Sequence, residues 1–242
     1  MVSEISEQLV GYLGPEGSFT QQAALQLFPA HQQGVRLVPI SDIPLLFDQV
    51  ATNAVQISIV PIRNSTNGYV QPTIDQLNKQ SGSNKLIICG ETSVKVSHCL
   101  AGKRKEETQQ NPPTSKEYNF QHIKTLKTHP QAWTQCQRFL EQALPHTERQ
   151  QADSTSQAAF EVSQDSLGIS AAICSELAAK RWGLDILANN IQDDPDNETY
   201  FVVIRQRHGK VLVEPVGAVP LTESTSLLPV DLLTPNKLLD SS

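Results

Sequence analysis

The amino-acid sequence predicts an α/β fold with parallel sheets. Short runs of apolar residues at 9–13, 35–39 and 56–61 have the length and composition of buried strands. Between them, residues 21–28 and 42–50 carry apolar side chains at helical spacing. Strands that alternate with helices pair in parallel through crossover helices, so the first third of the chain predicts a parallel sheet.

The same alternation continues along the rest of the chain. The turn GPEGSFT opens the first helix, and either Ser41 or Asp42 caps the second. Residues 102–119 are polar and lack periodicity, which predicts a flexible surface loop, and residues 207–242 predict a C-terminal tail rich in Pro, Ser and Thr. Further strands are predicted at 85–89, 93–100 and 123–126, and further helices from Thr73, over 130–144 and from Thr155. Residues 167–173 are apolar and small and lead into a helix over 175–183 that stops at Gly183, and residues 184–188 and 200–204 complete the regular structure.

The composition excludes several classes of partner. The 242 residues carry a net charge of −6, and the densest basic run, residues 103–105, is followed at once by two glutamates. Nucleic-acid binding needs a basic stripe, so no nucleic-acid partner is expected. No apolar run reaches the about 20 residues of a membrane helix, so no membrane partner is expected. Four widely spaced cysteines and a polar amino terminus predict reduced thiols in a cytoplasmic protein.

Three polar loops each follow a predicted strand. GPEGSFT follows the first strand, IRNS the third, and THPQ the strand that ends at Leu126. Ligands of α/β folds bind at the carboxyl ends of strands. The sequence therefore predicts a small-molecule site built from these loops, and it leaves the oligomeric state open, a homodimer included.

Five motifs occur in order along residues 9–204. They are GYLGPEGSFTQQAA, VPIRNSTNGYV, THPQAWTQCQRFL, DSTSQAA and NNIQDDPDNETYFVVI. Motif for motif, the chain resembles the catalytic part of the prephenate dehydratase family, and the NSTNG form of the second motif is most similar to fungal members. Each motif alone is weak, but five in sequence at similar separations make the resemblance specific.

The resemblance implies a two-lobed α/β fold like that of type II periplasmic binding proteins, with a ligand cleft between the lobes. Residues 8–90 and 190–206 would form one lobe, and residues 91–189 the other. The family converts prephenate to phenylpyruvate with loss of water and carbon dioxide. It uses no metal and no organic cofactor, because aromatisation of the ring drives the reaction, and none is expected here.

The resemblance also assigns the candidate site residues. Thr199 matches the threonine of the family's Thr-Arg-Phe motif, which assists departure of the ring hydroxyl by donating a hydrogen bond or proton. Asn64 matches the asparagine of Pro-Ile-Glu-Asn, Thr128 takes the place of serine in Ser-His-Pro, and Gln135 matches a pocket glutamine. The first loop opens a helix whose exposed amides suit a carboxylate. The candidate substrate-binding residues are Ser18, Phe19, Thr20, Arg63, Ser65, Thr155, Tyr200 and Phe201.

Two positions depart from the family's motifs. Tyr200 stands where Thr-Arg-Phe has arginine, and Arg63 stands where Pro-Ile-Glu-Asn has glutamate. One interpretation is relocation, in which Arg63 supplies the cation that position 200 has lost. The other is a pocket rebuilt for a different substrate, in which Tyr200 adds an aromatic surface.

Three functional hypotheses stay open. The first is a prephenate dehydratase-like lyase that acts on prephenate or a close analogue. The second is the same fold repurposed in secondary metabolism as a cyclase or isomerase, such as a Diels–Alderase, for which orientation and a few hydrogen bonds suffice. The third is a non-catalytic small-molecule binding protein. Retention of Thr199 and Gln135 favours an enzyme, and prephenate is the one substrate class to which the residues themselves point.

The region after Ile204 bears on regulation. Many family members append a phenylalanine-sensing ACT domain, whose Glu-Ser-Arg-Pro signature does not occur in residues 205–242. The expectation is therefore that no full ACT domain is present and that phenylalanine exerts no feedback. The run LLPVDLLT at 227–234 is interpreted as a remnant of the first strand of that domain.

Some conspicuous polar residues have ordinary structural interpretations. His129 is expected to be a turn residue beside Pro130, and His98 with Cys99 is expected to be a buried pair, because no further ligands lie at metal-binding spacing. The acidic run at 193–196 is interpreted as a solvated turn.

Overall fold

The structure describes residues 7–80, 85–104 and 120–219 of the chain, as a computed structural model. Residues 105–119 of the predicted loop and residues 220–242 of the predicted tail, which include 227–234, lie outside the described residues.

The chain forms two α/β units, and each unit is built on its own sheet. Unit 2 contains Pro15–Ser18 and Val96–Asn197, and unit 1 contains the described residues on either side of these two segments. The prediction of an α/β fold with two units is confirmed.

Unit 1 has a six-stranded sheet. Its elements are β1 (Gln8–Leu13), α1 (Phe19–Leu27), β2 (Val35–Ile40), α2 (Ile43–Ala51), β3 (Ile57–Asn64), β4 (Gly68–Tyr69), α3 (Gln71–Gln80), β5 (Leu86–Lys95) and β11 (Glu198–Gln206). The strand order is β2-β1-β3-β11-β5, and β4 pairs with β3. β1 is parallel to β2 and β3, whereas β11 is antiparallel to both of its neighbours.

The sheet of unit 1 separates two apolar cores. Ile59 packs into the core that α1 covers, and Val60 and Ile62 pack into the core that α2 covers. A strand that is buried on both faces has a continuous apolar run rather than an alternating one, which is why residues 56–61 predicted it. Asp42 caps α2, since its side chain accepts a backbone N–H of the first turn at 2.8 Å.

Unit 2 has a five-stranded sheet. Its elements are β6 (Cys99–Gly102), β7 (Thr125–Thr128), α4 (Pro130–Gln135), α5 (Gln137–Ala143), β8 (Glu148–Gln151), α6 (Thr155–Ser163), β9 (Ser170–Cys174), α7 (Glu176–Arg181) and β10 (Asp185–Ala188). The strand order is β10-β6-β9-β7-β8. β7 is parallel to β8 and β9, and β6 is antiparallel to β9 and β10.

Several element bounds differ from the sequence prediction. The single helix predicted over 130–144 is two helices, α4 and α5, which meet at Cys136, whose φ of −125° and ψ of 22° are not helical. β5 runs unbroken to Lys95, so the predicted strand at 93–100 divides between β5 and β6. The chain passes between the units at 95/96 and 197/198, besides the segment Pro15–Ser18, whereas the resemblance implies boundaries at 90/91 and 189/190.

Residues 207–219, which the sequence assigned to a tail, are fastened to unit 1. The buried side chain of Gln8 accepts the backbone N–H groups of Leu212 at 2.7 Å and Val213 at 3.0 Å, and it donates to the Val213 carbonyl at 2.8 Å. Val219 pairs with Glu91 on β5. One buried glutamine therefore fixes this segment, because its amide satisfies three backbone groups at once.

The cysteines are free thiols, and three of the four are buried. Cys99 and Cys174 are register partners on β6 and β9, with their Sγ atoms 4.0 Å apart. Burial raises the pKa of Cys136 to about 12. Within the described ranges, no helix combines the length and the apolar character that crossing a membrane would need.

Candidate active site

A β-bulge lies where the second motif faces the fifth. Along β3 and β11 the register shifts by one residue, so that Ile62 and Arg63 together face Tyr200. Pro61, next to the bulge, has no N–H for the ladder, and a proline within a sheet is accommodated at such irregularities. Beyond the bulge, Asn64 faces Thr199. A bulge re-aims the side chains that follow it, and here it brings two motif residues opposite each other.

The bulge is held from the side of α3. The Thr73 hydroxyl donates to the Pro61 carbonyl at 2.6 Å, and the Val70 N–H donates to the Ile62 carbonyl at 2.9 Å. These two bonds tie the irregular stretch of β3 to the chain that follows β4.

The Asn64 side chain makes four hydrogen bonds that fix its orientation. Its Oδ1 accepts the backbone N–H groups of Thr66 and Asn67, each at 3.0 Å. Its Nδ2 donates to the Thr199 hydroxyl at 3.0 Å and to the Glu198 carbonyl at 3.2 Å. Because the Thr199 oxygen acts as the acceptor, the hydroxyl hydrogen is directed to another group. Thr199 can therefore serve as a hydrogen-bond donor to a ligand.

Glu198 links three strands around this pair. Its backbone exchanges two hydrogen bonds with Ser65: the Ser65 N–H donates to the Glu198 carbonyl at 2.8 Å, and the Glu198 N–H donates to the Ser65 hydroxyl at 2.9 Å. Its carboxylate accepts the Ser93 hydroxyl of β5 at 2.7 Å. Glu198 is not among the residues that the motifs predict for the site. The sequence does show that Glu198 comes directly before Thr199. Side chains alternate along a strand, so Glu198 lies on the same face of β11 as Tyr200.

Arg63 and Tyr200 stack on each other across the two strands. The Arg63 guanidinium carbon lies 5.2 Å from the centre of the Tyr200 ring, a cation–π contact. Interaction with the Glu198 carboxylate is the main cause that raises the pKa of Tyr200. Tyr200 packs against the core on the α2 side. Alternation along β11 places Thr199 on the opposite face.

Some predicted binding residues lie in the core of unit 1. Phe201 is 1% exposed and Thr20 is 5% exposed, and Phe201 packs in the core that α1 covers. Phe19 packs partly against the same core. The structure brings Asn64, Ser65 and Thr199 together in unit 1 and gives Phe201 and Thr20 packing roles.

In unit 2, the loop at 15–18 is fastened to two helix starts. The Ser175 hydroxyl donates to the Gly17 carbonyl at 2.7 Å, and the Ser156 hydroxyl donates to the Glu16 carbonyl. Gly17 has a φ of +86°, and an added Cβ would lie 2.6 Å from the Ser156 hydroxyl and 2.7 Å from the Ala178 Cα, so only glycine fits. Ser18 closes this loop, and Thr155 is the first residue of α6.

Thr128 ends β7 and is fully buried. Its hydroxyl donates to the Ile173 carbonyl of β9 at 2.7 Å. A buried hydroxyl that is used in this way supports the sheet rather than presenting a hydrogen to a ligand.

Gln135 ends α4 and is held by His98. The His98 Nε2 and the Gln135 Oε1 lie 2.8 Å apart. Burial lowers the pKa of His98, and the bond to Gln135 opposes this shift only in part, so the ring is neutral. Since Oε1 accepts hydrogen bonds, His98 Nε2 carries the proton, and the Gln135 NH₂ group keeps its donors for other partners. The sequence analysis expected His98 to be buried, but it missed this contact.

His129 and the acidic run take structural positions. The His129 Nδ1 accepts the backbone N–H of Gln131 at 3.3 Å and caps α4. Asp193 pairs with Arg138 at 3.6 Å. Nowhere in the described part of the chain do three or more His, Cys, Asp or Glu side chains form a group that could hold a metal ion.

The fold and these side chains define a two-unit α/β protein whose candidate site offers hydroxyl and amide groups. The family model of prephenate dehydratase matches residues 10–209. The chain belongs to the prephenate dehydratase family.

Named relatives and a solved structure agree with this membership. The bifunctional chorismate mutase/prephenate dehydratase of Pseudomonas aeruginosa is 34% identical over 208 residues, which are 86% of this chain and 50% of that protein. The prephenate dehydratase of Mycobacterium ulcerans is 32% identical over 81% of this chain and 58% of its own length. The crystal structure of the Arthrobacter aurescens prephenate dehydratase in complex with L-Phe is 27% identical, with a TM-score of 0.67 over 88% of this chain and 62% of that chain. This chain thus spans about half the length of the curated relatives it matches.

Proposed function

We propose that this chain is a lyase of the prephenate dehydratase type, which converts prephenate or a close analogue to an aromatic keto acid with loss of water and carbon dioxide. The observation that supports this proposal most is the Asn64–Thr199 contact, in which the amide donates to the hydroxyl at 3.0 Å. Family membership supports the same reaction.

In the proposed reaction, the ring C–O bond and the bond from the ring to one carboxylate break. The electron pair of the broken C–C bond completes the aromatic ring, and carbon dioxide leaves. The departing hydroxyl takes up one proton and leaves as water, so each turnover consumes one proton. The Thr199 hydroxyl donates its hydrogen bond to the departing oxygen, where negative charge develops. Asn64 Nδ2 donates to the Thr199 oxygen and stabilises the charge that this donation leaves on it.

Other residues are proposed to have supporting roles. Gln135 offers its NH₂ donors to polar groups of the substrate, since its Oε1 is occupied by His98. The Thr128 hydroxyl donates to the Ile173 carbonyl and so holds the end of β7, where the third motif begins. The proposal involves no metal or organic cofactor, because aromatisation supplies the driving force.

The two alternatives make different demands on the site. A repurposed cyclase or isomerase would need Arg63 and Tyr200 to reshape the pocket. Tyr200 packs on the α2 side of the sheet, on the face opposite Thr199, which favours the lyase over a pocket rebuilt around Thr199. A non-catalytic binding protein would use the same Thr199 donor to hold a ligand, so turnover of prephenate is what distinguishes it from the lyase.

Turnover of prephenate by the purified chain tests the proposal. The wild type should release phenylpyruvate, followed by its absorbance and by mass spectrometry. Thr199→Val, which removes the hydroxyl at nearly constant volume, should lower kcat about 100-fold or more, and Thr199→Ser should retain most of it. Thr52→Val is the matched control, because the exposed Thr52 hydroxyl bonds only to the backbone of its own helix.

Two results would contradict the proposal. One is the absence of phenylpyruvate at high concentrations of wild-type protein and prephenate. The other is equal turnover by Thr199→Val and Thr199→Ser, since the hydroxyl would then have no part in the reaction.

A further inference from the structure

The two positions at which the chain departs from the family's motifs face each other across β3 and β11. We infer that Arg63 and Tyr200 form a positioning pair, which closes the β-bulge and thereby keeps Asn64 in contact with Thr199, and that neither side chain binds the substrate. The catalytic part of this inference rests on the proposed function, whereas the structural part stands without it.

The register places the pair at the irregular point of the sheet. Tyr200 faces both Ile62 and Arg63, and the regular pairing resumes with Phe201 facing Pro61. At a bulge the extra residue weakens the ladder, so side chains have to supply part of the cohesion between the strands. The guanidinium of Arg63 over the Tyr200 ring, at 5.2 Å, is a contact that bridges β3 and β11 at this point.

The pair is connected to the candidate catalytic residues through Glu198. Glu198 lies two residues before Tyr200 on the same face of β11, and its carboxylate accepts the Ser93 hydroxyl at 2.7 Å. The backbone carbonyl of Glu198 accepts the Asn64 Nδ2 at 3.2 Å. We therefore expect a displacement of β11 at Tyr200 to shift the Glu198 carbonyl, and with it the Asn64 amide that orients the Thr199 hydroxyl.

The orientation of the pair separates it from the Thr199 hydroxyl. Tyr200 packs with the α2 core, whereas the next residue, Phe201, packs with the α1 core. Alternation along the strand puts Thr199 on the same face as Phe201. The face that carries the hydroxyl is thus not the face that carries the Arg63–Tyr200 contact.

This geometry gives one explanation for both departures. Glutamate at position 63 and arginine at position 200, the residues of the family's motifs, would stand as opposite charges in the same cross-strand pair. In this chain an arginine stacked on a tyrosine replaces that ion pair. The two substitutions then exchange one cross-strand contact for another, and the relocation of a substrate-binding cation is not needed to explain them.

A thermal denaturation cycle on the full chain tests the pairing. Arg63→Glu alone sets a carboxylate beside Glu198, and Tyr200→Arg alone sets two guanidinium groups opposite each other, so each should lower Tm by about 2–4 °C. The double variant restores opposite charges and should return to within about 1 °C of the wild type. Arg36→Glu combined with Tyr200→Arg is the control, since it makes the same charge changes on β2 and β11, which are not neighbours in the sheet, and its effects should add.

Milder variants and kinetics complete the test. If a charge variant does not fold, Arg63→Gln and Tyr200→Leu form the same cycle. For the folded variants, a positioning role predicts that the single substitutions lower kcat about tenfold with KM within about twofold, and that the double variant recovers kcat. A substrate-binding role predicts a KM that rises at least about tenfold and is not recovered.

The outcomes separate the two proposals. Strictly additive Tm changes in the Arg63–Tyr200 cycle would overturn the pairing, and so would a selective rise of KM. A wild type without dehydratase activity would overturn the proposed function alone, because the Tm cycle needs no turnover and still decides whether the pair exists.

Discussion

Asn64 offers the sharpest test of the candidate site, because its amide both holds a turn and orients the Thr199 hydroxyl. Asn64→Ala removes all four hydrogen bonds of the side chain. Asn64→Asp keeps an oxygen acceptor for the backbone N–H groups of Thr66 and Asn67 but loses both donors. We expect the two variants to rank in opposite order for stability and for activity.

The stability difference follows from the count of hydrogen bonds. At a partly exposed site each bond contributes about 0.5 kcal/mol, the lower end of the usual range. Asn64→Ala should therefore cost about 2 kcal/mol, which lowers Tm by about 4–8 °C in a chain of this size. Asn64→Asp should cost about half as much, because two bonds remain and the Thr199 hydroxyl can donate to the new carboxylate.

That new bond is the reason for the opposite ranking in activity. In Asn64→Asp the carboxylate captures the Thr199 hydrogen, so the hydroxyl no longer donates to the departing oxygen, and kcat should fall about 100-fold. In Asn64→Ala the hydroxyl loses its orienting partner but keeps its hydrogen, and kcat should fall about tenfold. Calorimetry and steady-state phenylpyruvate release measure the two rankings. An Asp variant as active as the Ala variant would refute the assignment of Thr199 as the donor.

Two further predictions concern unit 2. Thr128→Val leaves the buried Ile173 carbonyl without its donor and should lower the free energy of unfolding, measured in urea, by about 1–3 kcal/mol. Thr128→Ser keeps the hydroxyl and should stay close to the wild type. Equal stability of the two variants would show that this bond is not needed. Burial lowers the pKa of His98 below its ordinary value of 6.5, so His98 binds a proton more tightly in the unfolded chain than in the folded one. The contribution of His98 to the free energy of unfolding is therefore complete above about pH 6.5 and is lost as the pH falls below that value. His98→Gln keeps a donor for Gln135 and should flatten the dependence of Tm on pH in this range, and an unchanged slope would exclude His98 as its source.

The fold class was predictable because its strands are buried on both faces. The apolar run at 56–61 predicts β3, and β3 does carry residues of both cores of unit 1. Helix breaks were not predictable in the same way. Apolar spacing over 130–144 continues through Cys136, because a buried thiol suits a helix face even where its backbone leaves the helical region.

The motif residues could be named from the sequence, but their contacts could not. Asn64 and Thr199 are 135 residues apart, and they meet only because a bulge shifts the register by one residue. Ile62 continues the apolar run of β3, so nothing in the local pattern marks it as the extra residue. A one-residue change of register reverses the face of every side chain beyond it, which is why Arg63 and Tyr200 could not be assigned to a face beforehand.

The central place of β11 in unit 1 has a consequence for how the chain folds during synthesis. β3 and β5 are complete by residue 95, yet each needs β11 as a neighbour. Until residues 198–206 leave the ribosome, both strands present an edge that a second chain could pair with. Nearly all of unit 2 is made in that interval, since it occupies residues 96–197 apart from the short segment at 15–18.

We therefore expect folding from the inside of the sequence outward. The strands of unit 2 all lie within residues 99–188, so its sheet can form while unit 1 still waits for its last strand. Unit 1 then closes through pairings of high sequence separation, such as the contact between Gln8 and Val213, 205 residues apart, and such pairings fold slowly. Truncation before residue 198 should accordingly leave two open strand edges and an aggregation-prone product, whereas truncation after residue 219 spares every pairing of the described sheet.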